Sequence, residues 1–257
     1  MEEEIVARPR VCVFDSGIGG INLLICCTRL MPQVDFYYFA DNYNVPYGNL
    51  PPQRIRGLVG NIFEKIATFS PSAAVIACNT ATAVCAGELR KKYSFPVVGV
   101  EPAVKQAAEY GGKFLVLATK ATCASPSFSA LIKKYGALAE VYPCADLAER
   151  IEREILSPDL GKLAEVLPVK KYSSVVLGCT HYAFIKEQIQ KRFSCPVFDG
   201  MAGTADHLLK ILGTADHFTA EKGQKLNNSE NKGKIEFICG NITKNYTIFE
   251  KFKQCNM

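Results

Sequence analysis

Residues 72–80 read SAAVIACNT and residues 173–181 read SSVVLGCTH, and the two stretches share one design. Each is an apolar run typical of a buried strand, followed by a small residue, a cysteine, and a residue with a hydroxyl or amide side chain. The cysteines are Cys78 and Cys179, about 100 residues apart. This pattern predicts two equivalent halves, each with one cysteine at the end of a central strand.

The repeat extends beyond the cysteines. After one predicted helix, residues 95–99 (FPVVG) and residues 195–199 (CPVFD) each form a second apolar strand near a proline. Short apolar strands that alternate with helices predict parallel sheets covered on both faces. The sequence therefore predicts an α/β fold of two pseudo-symmetric lobes with mainly parallel sheets.

The chain of 257 residues is long enough for two lobes of about 100 residues each. We expect the first lobe to comprise residues 1–98 and 211–257, and the second to comprise residues 99–210. Residues 213–234 turn polar and are predicted to be a connecting loop. A last strand at 235–239 and the helix after it are expected to return to the first lobe.

Composition excludes several classes of protein. The formal net charge is only +5, and Lys and Arg are scattered among Asp and Glu, so no basic stripe indicates a nucleic-acid partner. The first residues lack the order of a signal peptide, and no apolar run approaches the roughly 18 residues that span a bilayer. We therefore expect a cytoplasmic protein without a membrane partner.

The 11 cysteines are an odd number in a chain without a secretory signal, which argues against a disulfide framework. No Cys-x-x-Cys pair occurs and the three histidines lie far apart, so no metal site is expected. Most of the cysteines are expected to be small buried hydrophobic residues.

Polar side chains collect where the predicted strands end. In parallel sheets such positions meet in the crevice at the carboxyl edge, so we expect one site there. The residues at these positions are Asp15, Ser16, Tyr47, Gly48, Cys78, Asn79, Thr80, Thr119, Cys179, Thr180 and His181.

Residues 15–20 (DSGIGG) invite comparison with a dinucleotide-binding motif. Position 22 is Asn22 rather than the third glycine, and no acidic residue closes a second strand at the expected place, which argues against that interpretation. A glycine turn at a helix N-terminus remains, and it suits an anion such as a carboxylate. Asp15 is either a helix cap or an active-site residue, and its place beside the cysteines favours the second.

The turn at 46–48 (PYG) is either a plain turn or a carboxylate clamp.

A thiol with an ordinary pKa of about 8.5 needs help to act as a base at neutral pH. A helix N-terminus behind each cysteine would supply partial positive charge, and His181 could relay a proton. One such cysteine would suggest a nucleophile, as in a cysteine hydrolase. Two cysteines facing a common cleft suggest one base on each side of the substrate, which inverts a stereocentre without a cofactor. The neutral donors would be Asn79, Thr80, Thr119, Thr122 and Thr180.

The sequence closely resembles the glutamate racemases in motifs that run in order from about residue 11 to 240. These motifs are DSGIGG at 15–20, PYG at 46–48, ACNTA at 77–81, PVVGV at 96–100, ATKAT at 118–122 and GCTHY at 178–182. The resemblance implies two flavodoxin-like lobes with the active site in the cleft between them. It also implies an isomerase that interconverts L- and D-glutamate without a cofactor and supplies D-glutamate for peptidoglycan.

The resemblance assigns roles as well. Cys78 would take the proton of D-glutamate and Cys179 that of L-glutamate, while Asp15 and His181 assist the thiols. The residues implied to hold substrate are Asp15, Ser16, Pro46, Tyr47, Gly48, Cys78, Asn79, Thr80, Thr119, Thr122, Cys179, Thr180 and His181. The family also places a glutamate near the second cysteine, after a Cys-Pro pair.

In this chain that pair is reversed, as Pro143-Cys144. Glu152 fits the spacing best, and Glu149 is the alternative. We therefore expect Glu152 to be the auxiliary acid.

Two other functions compete with this interpretation. One is another two-cysteine racemase, acting on aspartate or a hydantoin; His181 favours glutamate, because aspartate racemases tend to carry an acidic residue there. The other is an interaction role such as gyrase binding, which some glutamate racemases are reported to have. We expect a small-molecule substrate as the partner, and a homodimer.

Overall fold

The computed structural model describes residues 8–214 and 232–255. Its strands are β1 (Arg10–Asp15), β2 (Asp35–Ala40), β3 (Ala73–Ile76), β4 (Val97–Gly99), β5 (Phe114–Thr119), β6 (Ala139–Cys144), β7 (Ser174–Gly178), β8 (Val197–Asp199) and β9 (Ile235–Cys239). Its α-helices are α1 (Ile21–Leu30), α2 (Pro52–Ala67), α3 (Asn79–Lys92), α4 (Val104–Tyr110), α5 (Lys120–Cys123), α6 (Pro126–Tyr135), α7 (Leu147–Glu154), α8 (Lys186–Phe193), α9 (Met201–Thr214) and α10 (Ile242–Cys255). Short 3₁₀ segments cover Tyr47–Asn49, Leu160–Val166 and Thr180–Ile185. Most of the loop predicted at 213–234 lies outside the described residues.

The strands form two sheets, with the orders β4-β3-β1-β2-β9 and β6-β5-β7-β8, and every pairing is parallel. Apart from β9, the two orders are the same, since β2-β1-β3-β4 corresponds to β6-β5-β7-β8. This is also the start of the flavodoxin-like order. The predicted α/β architecture of two parallel sheets is confirmed.

The matching orders make strand ends equivalent in pairs. Cys78 follows β3 and Cys179 follows β7, and these strands hold the same place in their sheets. Asp15 ends β1 and Thr119 ends β5, which also correspond. The repeat read from the two cysteine stretches is therefore a repeat of structure.

The last segment of the chain lies against the first sheet. Strand β9 pairs with β2 in parallel register, and α10 packs against β9 and α1. Helix α9 also packs against α1 and the end of β4, although it follows the second sheet in the chain. The boundaries of the two lobes stay a prediction.

Apolar side chains join the layers. One buried cluster contains Val11 and Val13 of the first sheet together with Leu115 and Leu177 of the second, so the two lobes share a core. Two further clusters fill the opposite faces, under α2 and α3 in the first lobe and under α4 and α6 in the second. Burying one such leucine contributes about 2 kcal/mol. The shared core fixes the two cysteine-bearing strand ends relative to each other.

Local sequence explains where several helices begin. Pro52 and Pro126 occupy the first turns of α2 and α6, where a missing N–H is tolerated. Ser125 caps α6, because its hydroxyl accepts a hydrogen bond from the Phe128 N–H at 3.2 Å. Within residues 8–214 and 232–255, no helix has the length and apolar character needed to cross a membrane.

Candidate active site

Cys78 and Cys179 lie at the carboxyl ends of their sheets, and both are nearly buried, with 6% and 8% of their surface exposed. Cys179 is near enough to Cys78 for a charge on it to raise the pKa of Cys78, as the smallest of the causes that act on that thiol. The sulfur atoms therefore lie in one shared environment. Two ionisable thiols at equivalent strand ends can serve one ligand from two sides.

Cys78 is the N-cap of α3. Its sulfur accepts a hydrogen bond from the Ala81 N–H at 3.5 Å and lies 3.5 Å from the Ser16 hydroxyl. Burial and, next, the charge of Asp15 raise the pKa of the Cys78 thiol to about 12, although both hydrogen bonds favour the thiolate. The predicted helix N-terminus is therefore present and acts in the expected direction, because the Ala81 N–H lowers the pKa of the thiol, but burial and the charge of Asp15 outweigh it.

The segment behind Cys179 differs from its counterpart. The predicted helix N-terminus there is a 3₁₀ segment, Thr180–Ile185, and α8 begins only at Lys186, so that expectation is wrong. The Cys179 sulfur accepts no capping hydrogen bond from this segment. His181 Nδ1 lies 3.8 Å from that sulfur instead.

The imidazole of His181 lies between Cys179 and Glu152, and both groups affect its pKa. Burial disfavours the imidazolium, but the hydrogen bonds to Cys179 and Glu152, and the charges of both groups, raise the pKa of His181 well above its usual value. Its Nε2–H donates to Glu152 Oε2 at 2.8 Å. The contacts of His181 therefore favour its protonated form beside Cys179, with a carboxylate bonded to the far side of the ring.

Glu152, on α7, is 7% exposed and accepts hydrogen bonds at both oxygens. Oε2 accepts from His181 and from the Ile18 N–H at 3.0 Å, while Oε1 accepts from Asn42 and Lys244, each at 3.2 Å. Burial raises the pKa of this carboxyl, but the hydrogen bond and charge of His181 outweigh it and the net pKa falls to about 2. Glu152 is therefore a carboxylate throughout the neutral range.

Glu149 is the alternative to Glu152 as the auxiliary acid. It is exposed and lines a pocket of about 560 Å³ whose inner wall includes Glu152. Glu152 is thus the residue of the two that contacts His181.

Asp15 is fully buried. Its Oδ1 accepts from the Gly17 N–H at 2.8 Å, and its Oδ2 accepts from the Thr180 hydroxyl at 3.2 Å, which connects the first lobe to the second. Burial raises the pKa of Asp15. Its effect on the thiols is electrostatic, through the charge that disfavours a Cys78 thiolate.

The glycines of residues 15–20 allow the two lobes to approach closely. A Cβ on Gly19 would lie 2.5 Å from the Thr180 hydroxyl and 2.7 Å from His181 Nδ1, and a Cβ on Gly17 would collide with the Glu152 carboxylate. These positions therefore exclude any side chain because groups of the second lobe occupy the space.

Three threonine hydroxyls form a triangle between the lobes. Thr80 lies 2.9 Å from Thr119 and 3.1 Å from Thr122, and Thr119 lies 2.9 Å from Thr122. Gly48 packs on this group, since a Cβ there would lie 2.6 Å from the Thr119 Cβ. All four predicted residues are brought together, and the hydroxyls can exchange their mutual bonds for bonds to a ligand.

The remaining predicted residues have structural contacts. The Tyr47 hydroxyl donates to Asp41 Oδ2 at 2.8 Å, and half-buried Pro46 follows a cis peptide bond. The Asn79 side chain donates to the Val100 carbonyl at 3.4 Å, and Asn79 and Thr122 line a cavity of about 1000 Å³ between α3 and α6. Their roles toward substrate stay predictions.

Sequence reasoning did not find Asn42 or Lys244. Asn42 follows the end of β2, so the rule that polar residues at strand ends meet in one site could have identified it. No local sequence pattern could have identified Lys244, because its contact with Glu152 depends on the pairing of β9 with β2. In the parts of the chain that are described, no cluster of three or more His, Cys, Asp or Glu side chains is arranged to hold a metal ion.

Known proteins resemble this chain along most of its length. The sequence pattern of the Asp/Glu/Hydantoin racemase family matches residues 53–208. A glutamate racemase of Clostridium botulinum (strain Alaska E43) is 38% identical over 248 residues, covering 91% of this chain and 92% of that protein. A glutamate racemase of Clostridium novyi is 36% identical over 245 residues, with coverage of 91% and 92%.

Solved structures of glutamate racemases have a fold similar to that of this chain. Escherichia coli glutamate racemase, in complex with L-glutamate and the activator UDP-MurNAc-Ala, superposes with a TM-score of 0.74 at 31% identity, covering 81% of this chain and 84% of that one. Glutamate racemase from Francisella tularensis, in complex with D-glutamate, gives a TM-score of 0.75 at 26% identity, with coverage of 96% and 94%.

Proposed function

The chain belongs to the Asp/Glu/Hydantoin racemase family, and from that premise we propose that it is a glutamate racemase that inverts the α-carbon with Cys78 and Cys179. Glutamate as substrate is supported by the relatives named for this activity and by the bound L- and D-glutamate of two similar structures. The observation that carries the mechanism is the equivalent position of the two thiols at the ends of β3 and β7.

The proposed reaction balances with the two thiols alone. The thiolate of Cys78 removes the α-proton of D-glutamate and becomes a thiol. The resulting carbanion takes a proton from the thiol of Cys179 on the opposite face, which gives L-glutamate and leaves Cys179 as a thiolate. The reverse direction uses the same groups in exchanged roles, so no cofactor is required.

The two thiols have different neighbours in this scheme. Burial raises the pKa of Cys78 to about 12, and Cys179 lies 3.8 Å from His181 Nδ1. L-glutamate needs Cys179 as base and Cys78 as acid. Turnover of L-glutamate then leaves the enzyme ready for D-glutamate.

Neutral donors hold the substrate carboxylates in this proposal. The Thr80, Thr119 and Thr122 hydroxyls release one another and bind the ligand. Ser16 lies beside the Cys78 sulfur, and Thr180, next to Cys179 in the chain, bonds Asp15. Asp15, Pro46, Tyr47, Gly48 and Asn79 complete the proposed binding wall.

The product D-glutamate is proposed to enter peptidoglycan synthesis in the cytoplasm, and the enzyme is proposed to act as a homodimer. Incubation of the purified protein with L- or D-glutamate, followed by circular dichroism, tests the activity. We expect decay of the signal to zero from either enantiomer. A faster decay with aspartate would overturn the choice of substrate and leave the two-thiol scheme in place.

A further inference from the structure

Lys244 belongs to the C-terminal helix α10 of the first lobe, yet its ammonium group ends on α7 of the second. Nζ donates to the Glu152 side chain at 3.2 Å and to the backbone oxygen of the same residue at 2.9 Å. The Lys244 side chain is 28% exposed and that of Glu152 is 9% exposed. One ammonium group therefore fixes both the carboxylate and the turn of helix that carries it.

Asn42 restrains the same oxygen. Its Nδ2 donates to Glu152 Oε1 at 3.2 Å, while its own Oδ1 accepts from the Asn241 N–H at 2.9 Å and from Asn245 Nδ2 at 3.1 Å. The start of α10 thus orients the Asn42 amide as well as supplying Lys244. Both donors to Oε1 depend on α10.

The position of Oε1 determines the position of Oε2. Glu152 forms part of the wall of the 560 Å³ pocket, which also includes Lys244, so space for rotation of the carboxylate lies on that side. While Oε1 is held, Oε2 stays within 2.8 Å of His181 and 3.0 Å of the Ile18 N–H. Release of Oε1 would let the carboxylate turn toward the pocket and away from the imidazole.

We propose that Lys244 is a positioning residue for the Cys179 half of the reaction: it holds Glu152, and Glu152 holds the His181 imidazole against Cys179. The part of this inference that concerns Cys179 chemistry rests on the proposed racemase function. The contact of Lys244 with the Glu152–His181 pair does not depend on any substrate. Cys78 makes its own contacts with Ser16 and Ala81, so its half of the reaction is expected to depend much less on Lys244.

The expected difference between the Cys78 half and the Cys179 half gives a test that separates lost positioning from general damage to the fold, which would affect both halves. The two enantiomers of glutamate have equal free energy, so any variant must change kcat/KM equally in both directions, and racemisation alone cannot tell the halves apart. Elimination of HCl from β-chloroglutamate can tell the two halves apart, because it needs only one base: a thiolate takes the α-proton and chloride leaves. In the proposed scheme the D-enantiomer uses Cys78 and the L-enantiomer uses Cys179.

The variants are Lys244→Met, Lys244→Arg and, as a matched control, Lys251→Met, which removes an exposed lysine from the same helix. For Lys244→Met we expect kcat/KM for racemisation to fall at least tenfold and elimination from β-chloro-L-glutamate to fall with it. Elimination from the D-enantiomer should stay within twofold of wild type, which also shows that the variant is folded. Lys244→Arg should recover most of the lost activity, and Lys251→Met should match wild type.

A second measurement needs no substrate. The chain has three histidines, so the imidazole N–H signals are few, and the hydrogen bond from His181 to Glu152 should give a protected downfield proton resonance. That resonance should disappear in Lys244→Met and persist in Lys244→Arg and Lys251→Met. Racemisation at the wild-type rate in Lys244→Met, equal loss of both eliminations, or an unchanged His181 resonance would each overturn the inference. An inactive wild type with the expected change in the resonance would instead refute the proposed function alone.

Discussion

The Nε2–H group of His181 lies 2.8 Å from Oε2 of Glu152, and this hydrogen bond joins the segment behind Cys179 to helix α7. The same oxygen accepts from the Ile18 N–H of the first lobe at 3.0 Å. One carboxylate oxygen therefore serves two purposes: it stabilises the imidazolium and it joins the lobes. Changes at this bond are expected to affect activity and stability together.

Glu152→Gln tests the first purpose. The amide keeps the shape of the side chain but removes the charge that helps to raise the pKa of His181, so the imidazolium beside Cys179 becomes less stable. We expect kcat for racemisation to fall about 100-fold, a typical contribution of a positioned acid–base group. The pH profile should also show a lower apparent pKa for the group assigned to His181. Glu149→Gln is the control, because Glu149 is exposed on the same helix, and it should leave both quantities unchanged.

Glu152→Gln is also expected to lower the free energy of unfolding by an amount that depends on pH. The pKa of Glu152 is lowered from 4.5 to about 2, so its stabilisation is present above pH 4.5 and is lost as the pH falls toward 2. The pKa of His181 is raised from 6.5, so its stabilisation is complete below pH 6.5 and is lost as the pH rises through the folded value. The free energy of unfolding should therefore drop most in Glu152→Gln near pH 5.5, by about 3 kcal/mol, and less at pH 9. Urea unfolding at both pH values measures this, and a loss of equal size at each would contradict the linkage.

Cys78→Ala and Cys179→Ala test the two-base scheme. Racemisation needs a proton removed from one face and delivered to the other, so each variant should lose more than about 10³-fold in kcat. Each should still eliminate HCl from the β-chloro analogue that its remaining thiol can deprotonate. Cys85→Ala, at a buried cysteine of α3, controls for loss of packing. Racemisation near the wild-type rate in either active-site variant would refute the mechanism.

Thr119→Val tests the threonine triangle as a ligand site. The variant keeps the shape of the side chain but removes a hydroxyl that lies 2.9 Å from both Thr80 and Thr122. We expect KM to rise about tenfold for both enantiomers, the loss of one hydrogen bond of about 1.4 kcal/mol, with a smaller change in kcat. Initial-rate kinetics from both directions measure this. Thr247→Val, at an exposed position of α10, should behave as wild type.

Strand-end reasoning predicted Cys78, Cys179, Asp15 and His181 because each lies at the end of a buried strand or just after it. It failed where the structure depends on contacts between distant segments. Lys244 reaches Glu152 only because β9 pairs with β2, and no local pattern records that pairing.

The pKa of Cys78 likewise depends on more than the local sequence. The helix N-terminus is visible in the sequence, but the burial that outweighs it is a property of the folded core. The glycine turn of residues 15–20 is predicted to suit a carboxylate, and its N–H groups do bond two carboxylates of the chain itself, Gly17 to Asp15 and Ile18 to Glu152. What no local pattern records is the close approach of Thr180, His181 and Glu152 from the other lobe.

Gly19→Ala therefore tests how closely the lobes must approach. The added Cβ would lie 2.5 Å from the Thr180 hydroxyl and 2.7 Å from His181 Nδ1, so the His181 imidazole or the whole loop must shift. We expect kcat/KM to fall at least tenfold and the free energy of unfolding to fall by about 1–3 kcal/mol, as for other overpacked sites. Gly57→Ala is the matched comparison, since a Cβ at this exposed position of α2 meets nothing within 4 Å. That variant should gain about 0.5–1 kcal/mol in helix stability at unchanged activity, because alanine loses less conformational freedom on folding. Equal behaviour of the two variants would mean that residues 15–20 can move away from the second lobe without cost.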